Sequence, residues 1–503
     1  MSFEICREKV ILSLYDKFKL CLSDDKDGMK LIDPLEKRVI GFHYGETHFA
    51  VSWIIFGVLN HRQEMIEIGI RLLRGFIHNA KEYQKEKEYH WDFNNIAICL
   101  LIEFLESNTD VSVGLDVEDL KSFILLQNDS QHGTINWMPM RAYTNFCKYK
   151  WTGNEEYLKK AKEYIANVDR AAYNDGYYED FLPKGKSFNF QYHIYTTAMM
   201  DFLSRRFAEV KHPTKAVMCC RGMLDCEGDI NYLGRGNNQI FAWGPALYVL
   251  FENKLTLELE KATNYFAQRI DTAIHNYNII LCDLPGEDRN WWWDYHYATV
   301  YFAHLSYWLT LSYVDNPRKM PEDNDVPTIS DSGVRIFRDD NAFVCVFEGR
   351  KHYLAERGPV LANIGLSNVG TVFKGPLGPY GGQFGNKYAN HLATLANYFG
   401  PIENKSKFGF TMLKDIFPKE INVSVRKNKV IVEYDLGRKY RDICFSAPIH
   451  CPKNQVEIKV TFDSVDMKLR WTGQYVGPYG ATDRYESRSG NARIIHVEIC
   501  RRT

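Results

Sequence analysis

Two stretches of this chain place chemically useful side chains where a loop runs into an apolar helix. One reads HGTINWMPMRAY from His132; the other reads DGYYEDFLPKGKSFNFQYHIY from Asp175. The first carries Asn136, an amide able to hydrogen-bond a carboxylate. The second carries Tyr192, a phenol able to move a proton. They lie roughly 56 positions apart, about the length of two helices with their loops. Both can therefore open neighbouring helices at the same end of a helical array, an arrangement suited to chemistry on an acidic sugar. A tyrosine has an ordinary pKa of about 10, so it acts as a base only where cations or strong donors stabilise the phenolate. His193 and Arg235 are the candidates for that help.

Further stretches pair polar with aromatic groups. YLGRGNNQIFAWG offers Arg235 for a bidentate contact, with Asn238 and Gln239 presenting amides at a helix start. A helix cap with an arginine ion pair is the plainer account of the same residues. EDRNWWWDYHYATVYF places Trp292, Tyr295 and His296 together. Three consecutive tryptophans cannot share one side of a helix, so some must line a groove or a domain interface. Trp137, beside Asn136, is a candidate sugar platform. HWDFNNI brings Asn94 and Asn95, rivals for the role of Asn136. GFHYGETHFAV carries His43, Glu46 and His48, which can line the same end of the array or simply cap it. His391, in a Gly-rich stretch much further along, can reach the helical cleft from another domain.

The positioning elements follow from periodicity. Residues 1–315 read as about a dozen helices, with apolar residues at spacings of three and four in THFAVSWIIFGVL, QEMIEIGIRLLRGFI and NNIAICLLIEFL. A Pro-rich, charged linker spans 316–333. Residues 334–503 alternate with period two in VRIFRD, NAFVCVFEG, INVSVRKN, KVIVEYDL, VEIKVTF and ARIIHVEIC, with a hairpin tip expected at Lys427-Asn428-Lys429. The expected class is α+β multidomain: an N-terminal incomplete (α/α) toroid of helical hairpins, then an antiparallel β-sandwich.

Composition narrows the partners. With 62 basic and 63 acidic residues, the net charge of −1 argues against nucleic acid or an anionic membrane as the main partner. No run of about 18 apolar residues exists, so no membrane span is expected. The 12 cysteines are scattered, with no CxxC and no metal-ligand spacing, and read as buried thiols. The opening MSFEICREKVILSLYDKFKL carries charges throughout and lacks an apolar signal core, so a cytoplasmic location is expected.

Taken together, these motifs resemble the heparinase II/III-like polysaccharide lyases and related bacterial toroid proteins. FQYHIY, the Asn136 helix entry and ISDSGVRIFRDDNAFVCVFEG at the start of the strand-rich half carry the likeness. GDINYLGRG before a helix is similar to a related family of bacterial toroid proteins. The resemblance implies an α/α toroid with a C-terminal β-sandwich and β-elimination at a uronic acid in an acidic polysaccharide or oligosaccharide. It implies Asn136 as carboxylate neutraliser, Tyr192 as proton carrier, a histidine facing the site (His391 here), and no cofactor. Many of these lyases carry an export signal, which the opening segment here does not show, and two further features depart from the pattern. KYANHLATL holds one histidine and no aspartate where that group is His-rich, and Trp137 rather than histidine follows the asparagine.

In the resulting mechanism Gln239 or Arg235 would assist Asn136, and His193 or His391 would complement Tyr192. Two other classes compete. A glycoside hydrolase needs two carboxylates about 5–9.5 Å apart, for which Asp175, Glu179, Asp180, Glu46 and Asp294 are available. A non-catalytic carbohydrate-binding or assembly protein needs neither.

Overall fold

The computed structural model describes residues 1–86, 89–109, 113–185, 188–233, 239–281, 297–318, 331–347, 351–352, 355–356, 360–366, 370–374, 399–401, 419–426, 429–448, 456–462, 468–477 and 480–501. Twelve α-helices stand among them, in two alternating kinds. The even-numbered set is α2 (Gly45–Leu59), α4 (Trp91–Ser107), α6 (Met138–Thr152), α8 (Phe190–Ser204), α10 (Trp243–Glu252) and α12 (Ala298–Val314). These are buried nearly all round; in α12 every residue from Ala298 to Ser312 is buried. The odd-numbered set is α1 (Phe3–Phe18), α3 (Gln63–Tyr83), α5 (Val117–Leu125), α7 (Glu155–Ala171), α9 (Thr214–Met223) and α11 (Thr256–His275). Most of these bury one stripe only; α7 buries just Ala161, Ile165, Val168 and Ala171. A helix apolar all round belongs inside, and one with a polar face belongs outside.

Each even helix packs on the next, and α12 returns to α2. The incomplete toroid expected from the sequence is therefore a closed inner ring of six helices. Closure is polar as well as apolar. Ser52 Oγ on α2 lies 2.7 Å from both Ser306 Oγ and Thr310 Oγ1 on α12. It also needs a small residue, since a Cβ on Gly45 would stand 3.2 Å from the Thr299 carbonyl. Caps set the helix limits. Asn154 Oδ1 accepts the Glu156 amide at the start of α7, and Gly153, at φ 68°, ends α6 in the left-handed conformation. A small hairpin of β1 (Leu22–Asp25) and β2 (Gly28–Leu31) lies between α1 and α2.

The strand-rich half forms two larger antiparallel sheets. One has the order β3-β4-β7-β8, from β3 (Val334–Arg338), β4 (Ala342–Phe347), β7 (Val360–Leu366) and β8 (Gly370–Lys374); β5 (Lys351–His352) and β6 (Ala355–Glu356) pair separately. In the other, β10 (Glu420–Arg426), β11 (Lys429–Pro448), β14 (Gly480–Arg501) and β12 (Val456–Phe462) run in that order. There β9 (Phe399–Pro401) joins β11, and β13 (Lys468–Gly477) joins β14. Arg426 pairs with Lys429, so β10 and β11 turn where the sequence places a hairpin; residues 427–428 lie outside the described set.

The first sheet is joined to the helices. Phe343, Cys345 and Phe347, every second residue of β4, belong to the helical core, and Phe347 stacks on Phe188 at 5.5 Å. Polar anchors reinforce the junction. Asp175 accepts from Ser332 Oγ (3.0 Å), while Asp225 accepts from Asn363 Nδ2 (2.9 Å) and Thr371 Oγ1 (3.0 Å). No helix among the described residues is long and apolar enough to cross a membrane. Nine cysteines, among them Cys99, Cys219, Cys220 and Cys345, are free thiols.

Candidate active site

Because the inner helices all run the same way round the ring, their N-termini gather at one end. There they surround a cleft with a cavity of about 50 Å³. Every inner helix contributes: His43 and Tyr44 enter α2, His90 and Phe93 α4, Asn136 and Trp137 α6, Gln191 and Tyr192 α8, Phe241 α10, and Tyr297, Val300 and Tyr301 α12. Each helix N-terminus carries about half a positive charge on its unsatisfied N–H groups. Six converging on one cleft favour an anion there.

Asn136 and Tyr192 thus face the same space from adjacent inner helices. Asn136 sits in a short 3-10 turn, Ile135–Trp137, whose Ile135 amide donates to the Asp180 carbonyl at 2.8 Å. Its side chain is buried, and Oδ1 has no hydrogen-bond partner among the described residues. A buried amide left in that state costs about 1–3 kcal/mol. Tyr192 opens α8, where Asn189 Oδ1 accepts its backbone N–H at 2.9 Å; its half-buried ring meets Phe241 edge-on at 6.3 Å.

Trp137 forms one wall. His132 stacks on it at 4.4 Å and His90 approaches at 5.0 Å. Behind it lies a buried ion pair, Arg141 Nε to Asp92 at 2.8 Å, with the Arg141 guanidinium 5.9 Å from the Trp137 ring. Ser130 Oγ donates to Asp92 at 2.6 Å, which ties down the loop carrying His132.

Two histidines that the sequence offered as rim residues or left unassigned lie in the cleft. The rings of His43 and His90 are 4.1 Å apart. Burial, helped by His90, holds His43 well below the ordinary imidazole range, so it is neutral at pH 7. Beneath the floor, His304 stacks flat on Phe241 at 4.2 Å, and neither of its ring nitrogens has a partner among the described residues. His48 Nε2 donates to the Phe93 carbonyl (3.1 Å), and burial pushes its pKa down to about 3.

Other expected site residues stand elsewhere. His193 does not line the cleft. It is buried on the opposite side of α8, where Nδ1 accepts the Tyr178 amide at 3.1 Å and Nε2 lies 3.7 Å from Cys220 Sγ on α9. Burial lowers its pKa to about 3, and it packs the ring rather than facing Tyr192. Gln239 is buried and bridges backbone to Ile280, and it is not part of the lining. Asn94 is already engaged, accepting from Thr47 Oγ1 at 2.7 Å and donating to the His90 carbonyl at 3.3 Å. Asn95 is buried outside the lining. Arg235, Asn238, Trp292, Tyr295, His296 and His391 lie outside the described residues.

Of the carboxylates offered for hydrolysis, Glu46, Asp175 and Glu179 are engaged elsewhere, and Asp180 is buried outside the lining of the cleft. Glu46 accepts the Leu31 amide at 2.9 Å, and burial raises its pKa to about 7. Asp175 anchors Ser332, and Glu179 accepts from Tyr173 Oη at 2.9 Å. None of the described residues lining the cleft is a carboxylate. Asp294 lies outside the described set.

No protein-family model matches this chain, and no curated protein does. Several solved structures are similar to it. Heparinase III matches at 10% identity over 86% of this chain and 73% of its own, with a TM-score of 0.44. A family 88 glycosyl hydrolase from Bacteroides vulgatus matches at 12% identity over 62% of this chain and 99% of its own, with a TM-score of 0.40. The GH76A α-1,6-mannanase from Salegentibacter sp. HEL1_6 matches at 11% identity over 62% and 100%, also at 0.40.

Proposed function

We propose that this protein is a lyase that cleaves uronic-acid-containing glycans by β-elimination. One observation carries the reading. Six helix N-termini converge on a cleft where a buried amide, its oxygen without a partner among the described residues, faces a tyrosine, with no carboxylate among the described lining residues. Such a cleft attracts an anion and supplies hydrogen bonds and a proton carrier, but among those residues it lacks the paired carboxylates of a hydrolase.

In this mechanism Asn136 turns its amide N–H groups to the substrate carboxylate. Withdrawing that charge acidifies the C5 proton, and the hydrogen bonds strengthen as the enolate forms. Tyr192 removes the C5 proton or protonates the departing C4 oxygen. The complementary role passes from His193 to the His43–His90 pair, since His43 is neutral and its ring lines the cleft. Trp137 offers a face for a sugar ring. No step needs a metal or organic cofactor. The two antiparallel sheets are read as the faces of a sandwich that supports the ring.

The test is absorbance near 235 nm on uronic-acid polysaccharides and oligosaccharides, since elimination leaves an unsaturated ring. A rise that falls at least a hundredfold in Tyr192→Phe, with an unchanged circular dichroism spectrum, is expected. New reducing ends without absorbance would replace the lyase with a hydrolase, and saccharide binding without either product would mark a binding protein.

A further inference from the structure

We propose that Gln191 is the second jaw of a two-amide clamp that selects the free carboxylate of the substrate. The inference rests on the lyase reading and names a determinant of its specificity.

Gln191 stands in the first turn of α8, one residue before Tyr192. It is only 4% exposed, lines the cleft, and its Oε1 has no hydrogen-bond partner among the described residues. Asn136 Oδ1 is in the same condition in the same cavity, and the turn bearing Asn136 packs on α8. One buried amide with an idle face can be tolerated. Two on one small cavity are what a ligand with several hydrogen-bonding atoms would satisfy. A carboxylate fits, since it offers roughly four acceptor sites on two oxygens. Each amide would present its N–H groups to the carboxylate. One amide can then serve each oxygen.

The size agrees. A cavity of about 50 Å³ has room for one carboxylate or a few waters. The ring would lie against Trp137, with C5 toward Tyr192. The α8 N-terminus adds its own partial positive charge beside Gln191. A neutral clamp has a further use. It offsets the carboxylate charge without an ion pair so strong that the ground state is held as tightly as the enolate.

The experiment compares oligogalacturonates and oligoglucuronates, each as free acid and as methyl ester, in wild type, Gln191→Glu and Gln191→Leu. At pH 7.5, Gln191→Glu is expected to lower kcat/KM for the acid at least thirtyfold and for the ester less than threefold. The acid-specific loss should shrink as pH falls toward 5 and the new carboxyl takes a proton. Gln191→Leu should lower acid turnover tenfold without that pH dependence, and it serves if Gln191→Glu does not fold. Equal losses on acid and ester, or none, would overturn the clamp while leaving the lyase reading intact. If wild type cleaves nothing, the lyase reading fails, and calorimetric binding of the same oligosaccharides decides the clamp. Preference for the acid that Gln191→Leu abolishes upholds it; no preference in wild type overturns it.

Discussion

The two ends of the helical ring are built from opposite halves of the same helices and solve opposite electrostatic problems. At the cleft end the N-termini converge, and the side chains facing the space are amides, imidazoles, phenols and apolar rings. The carboxylates there, Glu46 and Asp92, are bonded to Leu31 and to Arg141 and Ser130. At the other end the C-termini converge, each carrying partial negative charge. There the protein supplies its own cations. Arg205, just past α8, donates to Asp201 (3.0 Å), to the Glu252 carbonyl (3.1 Å) and to the Asn316 carbonyl (2.9 Å). Arg206 meets Asp315 at 2.7 Å and Glu103 at 3.1 Å, and Arg318 reaches Asp201 at 2.9 Å. One end commits its charges to internal ion pairs around an open pocket of about 570 Å³, and the other keeps hydrogen-bonding capacity in reserve.

That contrast can be broken experimentally. The largest effect should come from Asp201→Ala, which strips Arg205, Arg318, His212 and Asn253 of a shared acceptor. Breaking a buried pair costs about 3–5 kcal/mol, to be read from urea denaturation, with cleft activity at low temperature unchanged. Asn136→Ala should do the reverse. It should lose about 10²–10³ in kcat, as for a lost donor to a developing oxyanion. Its stability should stay within about 1 kcal/mol, because the deleted oxygen has no partner among the described residues.

Next in size is an acid effect. His48 is neutral when folded, with its pKa at about 3 against 6.5 unfolded. The unfolded chain therefore binds the extra proton first. Stability is fully present above pH 6.5 and declines as pH falls toward 3, by about 2 kcal/mol at pH 5 from this residue. His48→Phe should flatten that slope by the same amount in denaturation series. The opposite end should respond in the opposite sense. Burial and Asp315 push the Glu252 carboxyl up to about 8 from 4.5, so its contribution is greatest below pH 4.5 and is lost as pH rises toward 8. Glu252→Gln should gain stability over wild type across that window; a Tm difference that does not widen with pH would remove the assignment.

Much of this was legible from residue patterns. Helical spacing located the helices, and the matched entries at Asn136 and Tyr192 indicated adjacent helices opening at one end. Which side of a helix faces the cleft was not legible. The inner helices are apolar all round, so no stripe marks their orientation. Successive helix residues turn by about 100°. His193 therefore faces α9 while its neighbours Gln191 and Tyr192 face the cleft. Tyr297, Tyr301 and Phe241 were missed for the same reason: an aromatic in an apolar run carries no sign of what it lines. Closure of the ring was hidden because Ser52, Ser306 and Thr310 are small polar residues inside otherwise apolar helices.

The closing contact also dictates when the molecule can become itself. Ser52 and Ser306 are 254 residues apart in the chain, and Arg7 bonds Ser312 across 305. During synthesis α2 waits, with one apolar flank uncovered, until α12 has emerged. Loop closure over such a span is slow, and the intermediate is sticky. The first six hairpin partners are thus a poor unit to express alone. Any truncation before residue 312 should yield aggregates, not a smaller ring.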